Sequence, residues 1–428
     1  MPSDASDASV GRFAATNVQR SFNERLILSL MRRHGSLPKA ELARLTGLSP
    51  TAVGSIIVQL EAAGLVRRGA PQRGRIGQPS VPYAIEPSGA FSLGLKVGRR
   101  SAELVLLDAS LAIVALAETA YALPSIAEIE SFVSTHARRM VRKIDRSRLV
   151  GLGVAMPSEI WSWCDEMGVS EDALLTWKDV DFSKQLGPKL NVPVRVMNDA
   201  TAACAAQLAL TQHDGETVEK RKPLSFIYFF VGWFIGGGVV LDGRVLEGRR
   251  GNVGALGSMP VCGRGGAGSP LPEQLIRIAS VYCLERELLA HGIDPDCLQR
   301  EDLDWSDLGD VLDTWLQNAA AGVAQAVAAA SAVIDFDAAV IDGSFPPQVR
   351  SRFVQHVQTE FDRIDRQGLS PIEIQAGVIG RRARAVGAAC LPLLEAFAVD
   401  EAALPDRTNT DTDRAAEGKP LKEKTRAI

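Results

Sequence analysis

The side chains whose types and spacing suggest chemistry begin near the front of this 428-residue chain. Ser49, Thr51, Ser55 and Gln59 fall at the start and on one side of a short helical pattern, facing away from the apolar positions Val53, Ile56, Ile57 and Leu60. Glutamine can make paired hydrogen bonds to adenine, and serine or threonine can reach base edges or phosphate. The free N–H groups at the start of such a helix can also hold a phosphate. Arg67 and the stretch Arg73-Gly74-Arg75-Ile76-Gly77-Gln78-Pro79 follow. Glycines there let the backbone approach a narrow groove, and arginine is drawn to the negative potential of an A·T-rich minor groove. The same stretch also reads as a flexible basic linker that touches phosphates without sequence preference.

Three short helices are needed to present those groups. In the first, Leu26, Ile27, Leu30 and Met31 share a face and Gly35 ends it. The second runs from Pro38, suited to a first helical position, to Thr46. After the break Gly47-Leu48-Ser49, the third starts with Ser49 as N-cap and closes at Gly64. Two helices joined by a tight glycine-containing turn present the second to the major groove. Candidate strands Leu65–Arg68 and Val81–Ile85 flank the basic stretch as a wing. Residues 19–86 therefore read as an α+β winged helix behind a loose tail, 1–18.

Charge agrees with that reading. Residues 19–85 carry ten basic and three acidic side chains, whereas the whole chain has a net charge of −4. A basic module on an acidic body is the footprint of a nucleic-acid reader.

From Phe91 the pattern changes to two α/β units in tandem, each opening with antiparallel hairpins and continuing through strand–helix crossovers. The predicted lobes are 90–210 and 222–398, followed by a polar tail, 399–428. Asn198-Asp199 ends a strand of the first lobe just ahead of an alanine-rich helix, which Asp199 could cap. A content of 46% hydrophobic and 23% charged residues excludes wholesale disorder and small disulfide-stapled scaffolds. No apolar run reaches the ~18 residues of a membrane span, so no membrane partner is expected. MPSDASDASV lacks the features of a secretory signal. The six cysteines are scattered singly with no CxxC pair, which points to reduced thiols and a cytoplasmic protein.

From Arg20 to about Phe397 the chain resembles the regulator branch of the ROK family (repressors, open reading frames, kinases). NERLILSLMRRHGSLPKAELARLTGLSPTAVGSIIVQLEAAGLV resembles the family's winged helix. VGLGVAMP, LLTWKDVDFSKQL, VMNDATAACAAQ, VGWFIGGGVVLDGRVLEGRRGNVGALGSMPV and VGAACLPLLEAF follow in the family's order. The resemblance implies a body of two ribonuclease-H-like, actin/hexokinase-type α/β domains, with a sugar held in the cleft between them.

The kinase parts of that family are altered. Where its Asp-x-Gly-Gly-Thr turn binds phosphate and helps place Mg²⁺, this chain has Lys96-Val97-Gly98-Arg99-Arg100. A lysine cannot help hold a metal, and an arginine side chain replaces a glycine that let phosphate approach. The second turn, normally Gly-x-Gly-Ile-Gly-Gly-Gly, is Gly232-Trp233-Phe234-Ile235-Gly236-Gly237-Gly238. Phe234 puts a ring where backbone should meet phosphate, so the turn reads as a plain hairpin. Asn198-Asp199 is kept, and in the kinases that aspartate is the general base. Without a phosphate site it remains a sugar acceptor.

The family's Gly-Glu-x-Gly-His becomes Gly254-Ala255-Leu256-Gly257-Ser258, and its cysteine cluster shrinks to Cys262-Gly263. No structural zinc is expected, since zinc needs three or four protein ligands. Glu273, just after a proline at the start of a predicted helix, matches the following acidic position, where a first-turn charge would also favour the helix. The implied sugar site is Asn198, Asp199, Ser258 and Glu273, with no catalytic residue. The resulting expectation is a non-enzymatic regulator, a repressor of carbohydrate uptake or catabolism genes, whose partners are a double-stranded DNA operator and a sugar or polyol effector. It would act as a homodimer or homotetramer. The competing expectation is an ATP-dependent sugar kinase with a DNA-binding head.

Overall fold

A computed structural model describes residues 20–71, 80–158, 160–162, 164, 168–170, 172, 174–211, 224–262, 272–300 and 304–399. At the front, helix α1 (Phe22–His34) opens with a capping box: the Ser21 hydroxyl accepts from the Glu24 N–H, and the Glu24 carboxylate accepts from the Ser21 N–H at 2.9 Å. Strand β1 (Leu37–Pro38) leads into α2 (Lys39–Thr46). Gly47 then turns the chain at φ +70°, a left-handed conformation that favours glycine, and its N–H reaches the Ala43 carbonyl at 3.0 Å. The third helix, α3 (Pro50–Ala62), is capped by the Ser49 hydroxyl, which accepts from the Ala52 N–H at 3.2 Å. Strands β2 (Val66–Arg68) and β3 (Pro82–Ile85) complete a three-stranded antiparallel sheet of order β1-β3-β2.

Two details differ from the sequence reading. Pro38 is not the first residue of α2: its backbone is extended and it pairs with Pro82. A residue without an N–H is tolerated on an edge strand, which β1 is. Ile56 is only half-buried, so Val53, Ile57 and Leu60, each at 0% exposure, carry the inner face of α3.

The body holds two five-stranded sheets with one shared plan. The first comprises β4 (Phe91–Val97), β5 (Ser101–Asp108), β6 (Ile113–Ala120), β7 (Leu149–Met156) and β8 (Val194–Asn198), in the order β6-β5-β4-β7-β8. The first three strands are antiparallel, and β7 and β8 add in parallel. The second sheet repeats this with β9 (Phe226–Val231), β10 (Ile235–Leu241), β11 (Arg244–Val245), β14 (Ala338–Gly343) and β15 (Glu373–Ala376), in the order β11-β10-β9-β14-β15. Between β11 and β14 lie the short pair β12 (Pro260–Val261) and β13 (Glu273–Gln274). This is the expected mixed α/β architecture: an α+β winged helix in front of two hexokinase-like units.

Helices α4 (Ile126–Val141) and α5 (Phe182–Leu190) pack in the core of the first lobe. Helices α7 (Ile276–Ala279), α8 (Val281–Ala290), α9 (Gly309–Ser331) and α10 (Pro347–Asp362) contribute to that of the second. The last helix of each lobe serves the other: α6 (Asp199–Thr211) packs on β9 and β10, whereas α11 (Ala383–Phe397) packs on β4, β5 and β7. Small residues make that crossing possible. A Cβ on Gly153 of β7 would collide with the Ala388 carbonyl of α11, and one on Gly387 would collide with the backbone of Ala202 in α6.

The head is joined to the first lobe through a shared core. Leu26, Ile27, Leu30, Ile57 and Leu60 belong to one apolar cluster with Val105 and Leu107 of β5 and with Ala385, Ala389, Leu393 and Phe397 of α11. Polar ties reinforce it. The Arg148 guanidinium donates to the carbonyls of Ala63, Gly64 and Gly89 at 3.3, 3.3 and 2.9 Å. Arg25 donates to the Ala398 carbonyl, and the Val399 N–H donates to the Ser29 hydroxyl at 3.0 Å.

Candidate functional site

The first candidate surface is the outer face of α3. Ser49, Thr51, Ser55 and Gln59 are all exposed, as is Arg67 on β2. The Ser49 oxygen is already committed to the helix cap, which leaves its hydroxyl proton for a phosphate. Arg73, Arg75 and Gln78 lie outside the described residues.

The second candidate region is the cleft between the lobes, where the hairpin turn after β4 faces the turn after β9. The Arg99 guanidinium sits over Trp233, its carbon 3.2 Å from the ring centroid, so each lobe's turn is stacked on the other's. Glu285 of α8 accepts from the Trp233 Nε1 at 2.7 Å and stands 4.0 Å from Arg99 and 3.9 Å from Arg100. Arg100 also reaches Asp296 at 3.6 Å. Burial, with the neighbouring Arg100 adding to it, pushes the Arg99 guanidinium down to about 10 against the pull of Glu285. Below the turn, Lys96 and Glu103 form an ion pair of 3.0 Å with side chains 4% and 3% exposed. Burial of Glu103 opposes its charge, but Lys96 and Arg384 outweigh that and hold its carboxyl below the usual range. Arg381 ties Glu118 of the first lobe, at 2.8 Å, to the Gln299 carbonyl of the second.

The turn after β9 is indeed the hairpin its sequence suggests, with β9 and β10 antiparallel across it. Its carbonyls are spent on α8: the Val281 N–H donates to the Gly232 carbonyl and the Tyr282 N–H to that of Trp233, both at 3.0 Å. Those N–H groups would otherwise be free for an anion at a helix start. The cavity left between the turns is about 110 Å³, small beside the roughly 300–1,000 Å³ of pockets that hold organic ligands.

Asn198 and Asp199 stand together at the start of α6. Asn198, rather than Asp199, caps that helix, accepting from the N–H groups of Ala200 and Thr201 at 3.0 and 3.1 Å. Its amide donates to the Ser158 hydroxyl at 3.0 Å. Asp199 pairs with Arg384 of α11 at 3.2 Å, both side chains being 14% exposed. Arg384 in turn sits over the Phe230 ring and in the wall of the cleft cavity.

Ser258 and Glu273 are exposed on the second lobe, and among the described residues no hydrogen bond or ion pair joins either to Asn198 or Asp199. The sequence reading sets Glu273 at the start of a helix, and the structure corrects this. Glu273 lies in β13, opposite Val261, because the helical pattern begins only at Ile276.

The donor set does not fit zinc. Cys262 is exposed, and its backbone N–H and carbonyl are both taken by the Gln325 amide at 2.9 Å. Residues 263–271 contain neither cysteine nor histidine, and no cluster of three or more metal-ligating side chains occurs among the described residues.

Sequence reasoning flagged Arg99, Arg100 and Lys96 only as departures from a phosphate turn. It missed Glu285, Arg381 and Arg384, whose partners are far away in the chain and leave no local pattern.

Residues 92–394 match the family model described as ROK family, and residues 18–76 match one described as MarR family. An uncharacterized protein, y4fQ, of Sinorhizobium fredii is 26% identical over 379 residues, spanning 88% of this chain and 92% of that protein. The xylose repressor of Bacillus subtilis is 22% identical over 283 residues, 63% of this chain and 70% of that one. Among solved structures, a ROK family transcriptional regulator described as a homolog of the Escherichia coli MLC protein superposes with a TM-score of 0.62 at 17% identity. It covers 91% of this chain and 99% of its own.

Proposed function

The chain belongs to the ROK family, and from that premise we propose that it is a non-enzymatic, sugar- or polyol-responsive repressor that binds a DNA operator through α3 and the wing. The observation that carries the non-enzymatic part is the Arg99–Trp233 stack. It fills the gap between the two turns that would have to open for a nucleotide, and Glu285, hydrogen-bonded to the Trp233 half, stands 4.0 Å from Arg99. The match of residues 18–76 to the MarR family and the likeness to the xylose repressor over 63% of the chain support the regulatory part.

Two heads of a homodimer, or of a homotetramer, would meet half-sites about one helical turn or a multiple apart. Ser49, Thr51, Ser55 and Gln59 would face the groove, and Arg67, Arg73, Arg75 and Gln78 the backbone or the neighbouring minor groove. The effector would use Asp199 as an acceptor with Asn198 beside it, and Ser258 and Glu273 would join only when the lobes shift. A hydroxyl taking Asp199 must compete with Arg384. Arg384 is carried by α11, whose far end leads to Ala398 and Val399, held by Arg25 and Ser29 of the head. Loosening one end of that helix thus alters the seat of the head. Sugar and operator then weaken each other by equal factors, as linkage requires. A protein of this kind works in the cytoplasm.

The test is a coupled assay with ATP, Mg²⁺ and a panel of hexoses, ketoses and polyols, run beside thermal melts with the same panel. The expected result is no turnover but a raised melting temperature with one sugar class. Turnover that disappears in Asp199→Asn would establish the kinase instead.

A further inference from the structure

We infer that Val58 is a base-reading residue, and that what it reads is the 5-methyl group of a thymine in the major groove. Val58 is 58% exposed at the middle of α3, and no apolar cluster of the head includes it. The inner face of the same helix, Val53, Ile57 and Leu60, is completely buried. Successive helical residues are about 100° apart. Val58, seven residues after Thr51, therefore comes back to nearly the same azimuth, and Ser55 lies one turn below. These three form a stripe close to the centre of the outward face, while Gln59 stands about 100° round from Val58 toward one side. An exposed β-branched residue is also a slightly worse helix former than the straight-chain residues usual on such a surface. Val58 thus contributes neither to packing nor to helix stability.

A position with no role in folding, in the centre of a surface that enters the groove, is a candidate for recognition. An isopropyl group offers no hydrogen bond, so it cannot read a purine edge or a phosphate. The one apolar feature in the major groove is the thymine methyl. Thr51 and Ser55, on the same stripe, supply hydrogen bonds to the neighbouring base edges or phosphates.

The inference rests on the DNA-binding reading, and its test separates the two. Duplexes would be selected from a random pool with the full-length chain. Affinity for the selected duplex would then be measured by fluorescence anisotropy, with each thymine replaced in turn by deoxyuridine, which lacks only the methyl. The wild type should lose about fourfold at one thymine per half-site, as expected for one buried methyl, and Val58→Ala should show no loss there. Val58→Ala should itself bind the thymine duplex several-fold more weakly, with unchanged melting temperature, unchanged oligomeric state and unchanged affinity for random DNA.

If no thymine distinguishes the wild type from the variant, or if the variant loses equally on random DNA, Val58 does not read a methyl. A change of oligomeric state in Val58→Ala would make the residue a protein contact and overturn the inference too. A chain that enriches no sequence at all would overturn the operator reading itself.

Discussion

The pair Asp199–Arg384 gives the sharpest handle on the cleft. At 3.2 Å and an effective dielectric near 20 the gross attraction is about 5 kcal/mol. Both side chains are 14% exposed, so most of that is offset by lost hydration. The net worth of the pair is accordingly small, but removing one partner strands the other. Asp199→Asn leaves a guanidinium whose Nε is already buried without a hydrogen-bond partner. Arg384→Met leaves a carboxylate that, among the described residues, is held only by the Ala200 N–H. Each single variant should lose about 3 kcal/mol, which is about 6–12 °C in melting temperature for a lobe of this size. The double variant strands nothing and should lose less than either single, giving a coupling of more than about 3 kcal/mol. Thermal and urea melts of the four proteins measure the cycle, and the sugar panel run on each asks whether Asp199→Asn abolishes the effector shift. Additive losses would show that the two groups do not act on each other and would remove Arg384 from any path between effector and head.

Glu103→Gln should destabilise by about 3 kcal/mol at pH 7 by leaving Lys96 buried without its counter-charge. Because the native carboxyl titrates below its unfolded value, its stabilisation is present above that value and is lost as pH falls through the folded pKa. The gap between wild type and variant in melts from pH 7 downward should therefore close in acid. Gly153→Ala should misfold or lose more than about 3 kcal/mol, since the new methyl meets the backbone of α11 rather than a movable side chain; soluble expression and a melt decide it. On a selected operator, Thr51→Ala and Gln59→Ala should relax sequence preference with little change in salt slope, whereas Arg67→Ala should lower that slope by about 1 across all sequences. Equal losses on operator and random DNA for Gln59→Ala would exclude base reading by that residue.

The parts of this molecule that were legible in its sequence are those set by local rules. The winged helix announces itself through Ser49, Gly47 and the spacing of Val53, Ile57 and Leu60, because caps, turns and amphipathic faces are short-range devices. The two sheets are visible as two α/β units in tandem, each opening with antiparallel hairpins. Pro38 and Glu273 were misplaced because each belongs to a two-residue strand whose existence depends on a partner outside its own local stretch, Pro82 for the first and Val261 for the second. Nor could periodicity show that α6 and α11 exchange lobes. The glycines and alanines that allow it are spread over Gly153, Ala202, Gly387 and Ala388, and read singly as low-complexity helix or strand.

The cleft shows the same limit more pointedly. Arg99 reads as a loss, a glycine gone from a turn that should cradle phosphate, whereas Trp233 stands at a variable position of its turn, beside the Phe234 that replaces a glycine. In three dimensions the loss becomes a gain, because Arg99 stacks on Trp233, whose indole N–H is held by Glu285. A turn that had merely decayed would leave a void into which nucleotide could still drift. This one holds the Arg99–Trp233 stack, the helix N–H groups beside it are satisfied, and Arg100 and Arg381 are paired across the lobes. The distinction matters for regulation. A cleft held by stacked and paired side chains has a defined closed state, which an effector on Asp199, in the proposed reading, would oppose through Arg384, whereas an empty cleft would have no closed state to shift.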